Sequence, residues 1–337
     1  MSVPAMRQLR RIFPGAHISL LVRPWVRDVY SAVDFVDRIL DFDKEGEHRG
    51  WVGRTRLVQG LRRMKFDLAL LLQNAFEAAF LAWAARIPVR IGYARDARSL
   101  MLTHSCRIDP QIRKAHQIYY YLGLLSASGL SELRPHDAQG QEVDIRIGVR
   151  QSDVEGARIL LASAGIRDDE LLVGLNPGAH FGSAKRWLPD RYARVGDALA
   201  GRYRVRIILF GSPGERPFAE AIAGQMTHPA LVLAGRTTLG ELMALIRRCS
   251  LFITNDSGPM HLAAALDVPQ LAIFGSTSEA ATGPWSDRAE IIKEPVECSP
   301  CFRRECPIDL RCMTGITVER VVSAAERRLD AVLKEIP

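Results

Sequence analysis

Apolar and polar positions change period several times along the chain. From Val3 to Phe13, apolar Val3, Met6, Leu9 and Phe13 recur at three- and four-residue spacing with Arg7, Arg10 and Arg11 between them, which predicts a helix. Pro14-Gly15 ends it, and His17 to Val22 reads as a strand. Phe66 to Leu72 is a near-continuous apolar run of the kind buried on both faces of a parallel sheet, and Ala75 to Ala85 follows it as a helix. Pro88 to Tyr93 predicts another short strand. His116 to Leu125 predicts a helix whose aromatics read as core rather than as a stacking platform. Around Gly129 to Glu142 the chain turns polar, with Pro135, Asp137, Gln139 and Gly140, and a linker is expected there.

The second half restarts the same rhythm. Strands are predicted at Leu171 to Asn176, Val205 to Phe210, Leu231 to Leu233, Leu251 to Thr254 and Gln270 to Phe274. Helices are predicted at Pro189 to Arg202, Glu215 to Gln225, Leu239 to Arg248 and Pro259 to Ala265, and a last one, Val318 to Lys334, closes the chain. Strands separated by helices of this length imply right-handed βαβ units and parallel sheets covered on both faces. Two such α/β domains, 1–145 and 146–337, are expected, with a cleft between the carboxyl ends of their sheets.

Composition narrows the class. At 337 residues, 47% apolar and 25% charged, the chain has ordinary globular composition and enough length for two cores. No apolar run approaches a membrane span, and no signal peptide is evident, so a cytoplasmic location is expected. The net charge of +7 is unevenly placed, because Met1 to Lys65 holds thirteen Lys/Arg against seven Asp/Glu. Such a stretch suits an anionic partner, whether a phosphorylated lipid, a membrane surface or nucleic acid, or it is simply a solvated face. Aromatic-basic interleaving and helix-turn-helix signatures are lacking, which disfavours nucleic acid.

The most informative stretch is ITNDSGPMHLAAALDVPQLAIFG, Ile253 to Gly275. A strand ends at Thr254, and Asn255-Asp256-Ser257-Gly258 turns into a helix starting near Pro259, so backbone N–H groups and the positive helix end form a ready phosphate site. Ser257 adds a hydroxyl donor and Gly258 lets the backbone approach closely. His261 reads equally as a ligand or as a histidine satisfied within helix packing, and Asp256 reads also as a helix cap. A second candidate is NPGAHFGSAKRWLP, Asn176 to Pro189, where small Gly178, Gly182, Ser183 and Ala184 bring up Lys185 and Arg186. A lysine on such a loop suits a diphosphate leaving group. No GxxxxGK[ST] run is present, which disfavours a P-loop phosphotransferase. Four of the six cysteines, Cys298, Cys301, Cys306 and Cys312, lie within CSPCFRRECPIDLRC, whose thiolates could hold zinc or an iron–sulfur cluster or stay free in an ordered loop. Arg303, Arg304 and Arg311 among them could meet an acceptor phosphate.

The pair NPGAHFGSAKRWLPDRYA and NDSGPMHLAAALDVPQLAIFGSTS resembles the ADP-heptose:lipopolysaccharide heptosyltransferases, glycosyltransferase family 9, and most of all their type II members. FPGAHISLLV, KFDLALLLQNAFEAAFLAW and IGYARDARSLMLTH extend the likeness over nearly the whole chain. The resemblance implies a GT-B fold, two Rossmann-like doubly wound domains facing across a cleft, the first on the acceptor side and the second holding ADP-heptose. It implies that Lys185 stabilises the diphosphate and that Asp256, Ser257 and Gly258 contact phosphate and sugar, with His261 one turn on. Ser183, Thr237 and Thr238 join the donor contacts, and Glu215 matches the acidic residue that holds the ribose hydroxyls.

The implied reaction is an inverting single displacement from ADP-L-glycero-beta-D-manno-heptose to the heptose of heptosyl-Kdo2-lipid A, at the inner face of the inner membrane, with no cofactor required. Type I or III members would use a different core acceptor. The family's base is an aspartate in a Gly-Asp pair at the end of the first strand, a few residues before a Pro-Ala that falls here at Pro4-Ala5. The expectation is therefore that this sequence starts inside the first βα unit, with that strand and base lying before Met1. Otherwise another carboxylate, Asp28 or Asp96, takes the role, or the chain is an inactive nucleotide-sugar- or metal-binding protein.

Overall fold

The computed structural model describes residues 1–132 and 143–335, so most of the expected linker lies outside the described residues. The chain divides into two compact units, Met1–Ile145 and Arg146–Pro337. Among the described residues no helix is long and apolar enough to cross a membrane.

Unit 1 opens with helix α1 (Val3–Ile12), strand β1 (Ser19–Val22), a 3-10 helix (Pro24–Tyr30) and strand β2 (Arg38–Asp41). Helix α2 (Gly50–Arg63), strand β3 (Leu68–Leu71), helix α3 (Phe76–Ala84) and strands β4 (Val89–Tyr93) and β5 (His104–Cys106) follow. Helix α4 (Gln117–Ala127) comes after them. Every pairing is parallel, β1 with β2 in one ladder and β3-β4-β5 in another. One apolar cluster serves both ladders: Leu21 of β1 and Ala69 and Leu71 of β3 pack on the same Leu57, Leu61, Leu81 and Ile87. Arg98 is wholly buried and donates from Nε to the Tyr93 carbonyl (3.0 Å), from Nη1 to the Gln73 carbonyl and from Nη2 to Asn74 Oδ1 (3.2 Å). Carbonyls in place of water satisfy the guanidinium, which ties the end of β4 to the loop after β3.

Unit 2 contains helix α5 (Gln151–Ser163), strand β6 (Leu172–Asn176), helix α6 (Pro189–Tyr203), strand β7 (Arg206–Leu209) and helix α7 (Arg216–Ala223). Strand β8 (Ala230–Val232), helix α8 (Leu239–Arg248), strand β9 (Leu251–Asn255), helix α9 (Gly258–Ala265) and strand β10 (Gln270–Phe274) continue it. Short helices α10 (Glu279–Thr282) and α11 (Arg311–Thr314), strand β11 (Ala289–Lys293) and helix α12 (Val318–Glu335) complete it. The six strands form one parallel sheet in the order β11-β10-β9-β6-β7-β8.

Period-two alternation shows why both faces are covered. Leu271 and Ile273 of β10 join the core with α6 and α12, while Ala272 and Phe274 pack against Met260 of α9. Chain order reverses between β6 and β9, and at such a switch point the loops leaving the carboxyl ends diverge and admit a ligand. The backbone of β6 is itself tightly enclosed, for a Cβ on Gly174 would stand 2.7 Å from the Phe252 ring and 2.9 Å from the Phe210 ring. Gly174→Ala is expected to cost about 2 kcal/mol through overpacking, lowering the thermal midpoint of unit 2 by roughly 4–8 °C. Differential scanning calorimetry checks this.

Candidate functional site

The residues singled out in the sequence lie along one rim of unit 2. Parallel pairing puts all carboxyl ends on one edge: Ser183 and Lys185 follow β6, Glu215 follows β7, Thr237 and Thr238 follow β8, and Asp256, Ser257, Gly258 and His261 follow β9. At the switch point the loops after β6, β9 and β10 converge on one carboxylate. Lys185 Nζ lies 2.5 Å from Asp256 Oδ2, and the Thr277 hydroxyl donates to the same oxygen at 2.6 Å. Both partners of the ion pair are largely shielded, with side chains 14% and 5% exposed, so the attraction is weakly screened. Nζ also sits 5.0 Å from the centre of the Phe181 ring. An ammonium has three donors, so Asp256 can hold Lys185 in place while it meets a further anion.

Beside this pair is the start of α9. Ser257 is its cap residue, yet its side chain makes no bond to the first turn. Its Oγ instead accepts from Asn176 Nδ2 at 3.0 Å and stands 3.3 Å from Thr254 Oγ1. The first-turn N–H groups therefore owe nothing to that side chain, Pro259 at the second helical position has none to satisfy, and Gly258 is exposed. A helix start whose cap side chain is turned away, next to a lysine, has the charge and donors that suit an anion. His261 is half-buried in the first turn of the same helix.

Buried asparagines hold the loops. Asn255 is fully buried; its Oδ1 accepts from the Trp187 backbone N–H (3.1 Å) and the Tyr192 hydroxyl (3.0 Å), and its Nδ2 donates to the Pro177 carbonyl (2.7 Å). Asn176 Nδ2 links β6 to Thr254 at 3.1 Å as well as to Ser257. Asn176, Asn255, Thr277 and Trp187 were given no role by the sequence reading, although all four stand in the stretches it quotes. The available signal was an Asn ending each of two apolar strands, where only a hydrogen-bonding duty explains an amide.

Farther along the rim, Glu215 is already engaged. Its Oε2 accepts from the Ser212 N–H and hydroxyl, both at 2.8 Å, and its Oε1 lies 3.8 Å from an Arg186 nitrogen. A side chain at Gly178 would collide with this carboxylate, so that glycine makes its place. Thr238 caps α8 in a reciprocal box: its hydroxyl accepts from the Glu241 N–H at 3.2 Å, and its own N–H donates to Glu241 Oε2 at 2.7 Å. Gly235, at φ +68°, donates to the Gly211 carbonyl at 2.9 Å and so brings the loop after β8 against the loop carrying Glu215.

The cysteine loop leans on the same rim. The Phe302 N–H donates to the Ser276 carbonyl (2.7 Å), Ser299 Oγ to the Gly275 carbonyl (2.6 Å), and the Ala184 N–H to the Arg304 carbonyl (3.0 Å). All four thiols are free; Cys298 and Cys301 are exposed, Cys306 half-buried and Cys312 buried. Burial, and then the neighbouring Cys298, Cys306 and Cys301, push the Cys312 thiol up. Among the described residues no three His, Cys, Asp or Glu side chains are gathered as a ligand set for a metal ion. In unit 1, Asp28 is half-buried on the 3-10 helix, and Asp96 is exposed in a turn at φ +53°.

Two parallel α/β units, the second with a rim of polar loops at its switch point, suit a nucleotide-sugar-dependent transferase, and residues 54–311 match glycosyltransferase family 9 (heptosyltransferase). The chain belongs to that family. It is 29% identical over 306 residues to lipooligosaccharide heptosyltransferase 2 of Haemophilus influenzae, covering 87% of this chain and 84% of the relative. The structure of Escherichia coli ADP-heptose lps heptosyltransferase II superposes with a TM-score of 0.83 at 25% identity, over 100% of this chain and 95% of that one. A family 9 glycosyltransferase from Veillonella parvula superposes with a TM-score of 0.82 at 25% identity, over 97% and 92%.

Proposed function

We propose that this chain transfers heptose from ADP-L-glycero-beta-D-manno-heptose to the heptose of heptosyl-Kdo2-lipid A, as an inverting single displacement at the inner membrane surface. The observation that supports this most is Lys185 held by Asp256 at the start of α9, whose first turn Ser257 does not cap. As the anomeric carbon–oxygen bond breaks, negative charge grows on the departing diphosphate. Lys185 and the α9 N–H groups are fixed before the reaction and stabilise that charge without reorganising. Ser183, Ser257 and His261 line the sugar-phosphate side of this reading, and Thr237, Thr238 and Glu215 the adenosine side, Glu215 through the oxygen not committed to Ser212. The acceptor hydroxyl loses its proton to a carboxylate of unit 1, for which Asp28 and Asp96 are the candidates within this chain, so that ADP release would place the base here and not before Met1.

The test is ADP release by the full chain, given ADP-heptose and heptosylated Kdo2-lipid A, with donor binding measured by calorimetry on the same preparation. Acceptor-dependent ADP release is expected. Binding without release would make the chain a nucleotide-sugar-binding protein, and absence of donor binding would overturn the assignment of the rim.

A further inference from the structure

Helix α2, GWVGRTRLVQGLRR, carries four arginines and no carboxylate. Its buried positions are Gly53, Leu57 and Leu61, a stripe of four-residue spacing that faces the core of unit 1. Gly53 is pressed onto the preceding turn, where a Cβ would stand 2.5 Å from the His48 carbonyl carbon, so the start of the helix has one seating. That seating turns the other side outward. Trp51 is 79% exposed and Val52 76%, and Arg56, Arg62 and Arg63 are exposed with them. Trp25, 71% exposed, is a second outward indole of the same unit. Of the carboxylates close by, Glu45 pairs with Arg23 at 3.3 Å and Glu77 with Arg54 at 2.8 Å and with Lys44, while Glu47 is exposed in the turn before the helix.

Water is a poor solvent for an indole and a valine side by side on one helix face, and a headgroup layer is a good one. Indole rings settle at the boundary between acyl chains and headgroups, and arginine stems reach past them to phosphate. We infer that the outer face of α2 docks this chain on an anionic lipid bilayer. The inference rests on the reading that the acceptor is a membrane glycolipid, since docking would deliver unit 1 to it. The charge argues for lipid over a second copy of this chain, whose matching face would be equally cationic.

The experiment is co-sedimentation of the full chain with phosphatidylcholine vesicles containing about 30% phosphatidylglycerol at roughly 0.1 M salt. Binding is expected with the anionic lipid and not with phosphatidylcholine alone. The triple variant R56Q/R62Q/R63Q should bind about a hundredfold more weakly, near fivefold for each arginine removed. Trp51→Ser with Val52→Ser should lose about tenfold. Both variants should keep wild-type donor affinity by calorimetry and wild-type ADP release on detergent-solubilised acceptor. Equal binding to both vesicle types, variants that bind like wild type, or self-association by sedimentation velocity in place of vesicle binding would each overturn docking. Vesicle binding that persists while solubilised acceptor yields no ADP would keep the docking surface and remove the acceptor reading instead.

Discussion

Replacing Lys185 with alanine is expected to lower turnover by about 10²–10³-fold, the range seen when one preorganised group is withdrawn from developing negative charge. The ammonium lies 2.5 Å from Asp256 and its side chain is only 14% exposed, so bulk water cannot take its place. Steady-state ADP release checks the size of the effect. The variant also strips a nearly buried carboxylate of its cation, which by itself costs about 3–5 kcal/mol of stability. The double variant K185A/D256A separates the two consequences. It should recover most of the lost thermal stability, because no unpaired charge remains, and recover none of the activity. If K185A turned over at the wild-type rate while folded, the diphosphate would have to be stabilised elsewhere.

Asn255→Ala should cost unit 2 as much stability as the loss of Lys185. One fully buried amide answers the Trp187 N–H, the Tyr192 hydroxyl and the Pro177 carbonyl. Deleting it leaves these groups buried and unanswered, for a total cost of about 3–5 kcal/mol and a fall in melting temperature of roughly 10 °C. Tyr192→Phe is the comparison, since it removes a single one of these bonds and should cost about 1 kcal/mol. Because Trp187 and Pro177 belong to the loop that carries Lys185, Asn255→Ala should also weaken ADP-heptose binding measured by calorimetry. A variant as stable as wild type would mean that the loop is held by other contacts.

How legible the chain was in its sequence depended on which residues carried the pattern. The core strands of unit 2 announce themselves because each is built on a short apolar run: Leu172–Asn176, Leu251–Asn255 and Gln270–Phe274 are buried at every position. The elements that went unread have other signatures. Helix α2 exposes Trp51 and Val52 and buries Gly53, so hydrophobicity points the wrong way along its first turn. Helix α5 buries Asp153, which is paired with Arg150 at 2.8 Å, and an acid on the inner stripe hides the period. Strand β2 holds one exposed and three half-buried positions, strand β5 is only three residues long, and edge strand β11 has a single fully buried residue, Ile292. The expected helix from Glu215 is a 3-10 turn with α7 beginning at Arg216, because Glu215 reaches back to cap Ser212.

For the site, motif order located the rim, and topology explains it: the quoted turns follow successive strands of one parallel sheet. Pairing was not legible. Nothing in the spacing of Lys185 and Asp256, seventy-one positions apart, says that they meet, and no local signal gives Thr277 to the same oxygen. Such contacts depend on the order β10-β9-β6, which is a property of the assembled sheet.

That order has a mechanical consequence. In unit 2 the four interior strands β10, β9, β6 and β7 are each clamped by two neighbours, whereas among the described strands of unit 1 only β4 is. The rim proposed to grip the nucleotide is thus carried by strands that each have two neighbours, and the half proposed to meet the acceptor by shorter ladders.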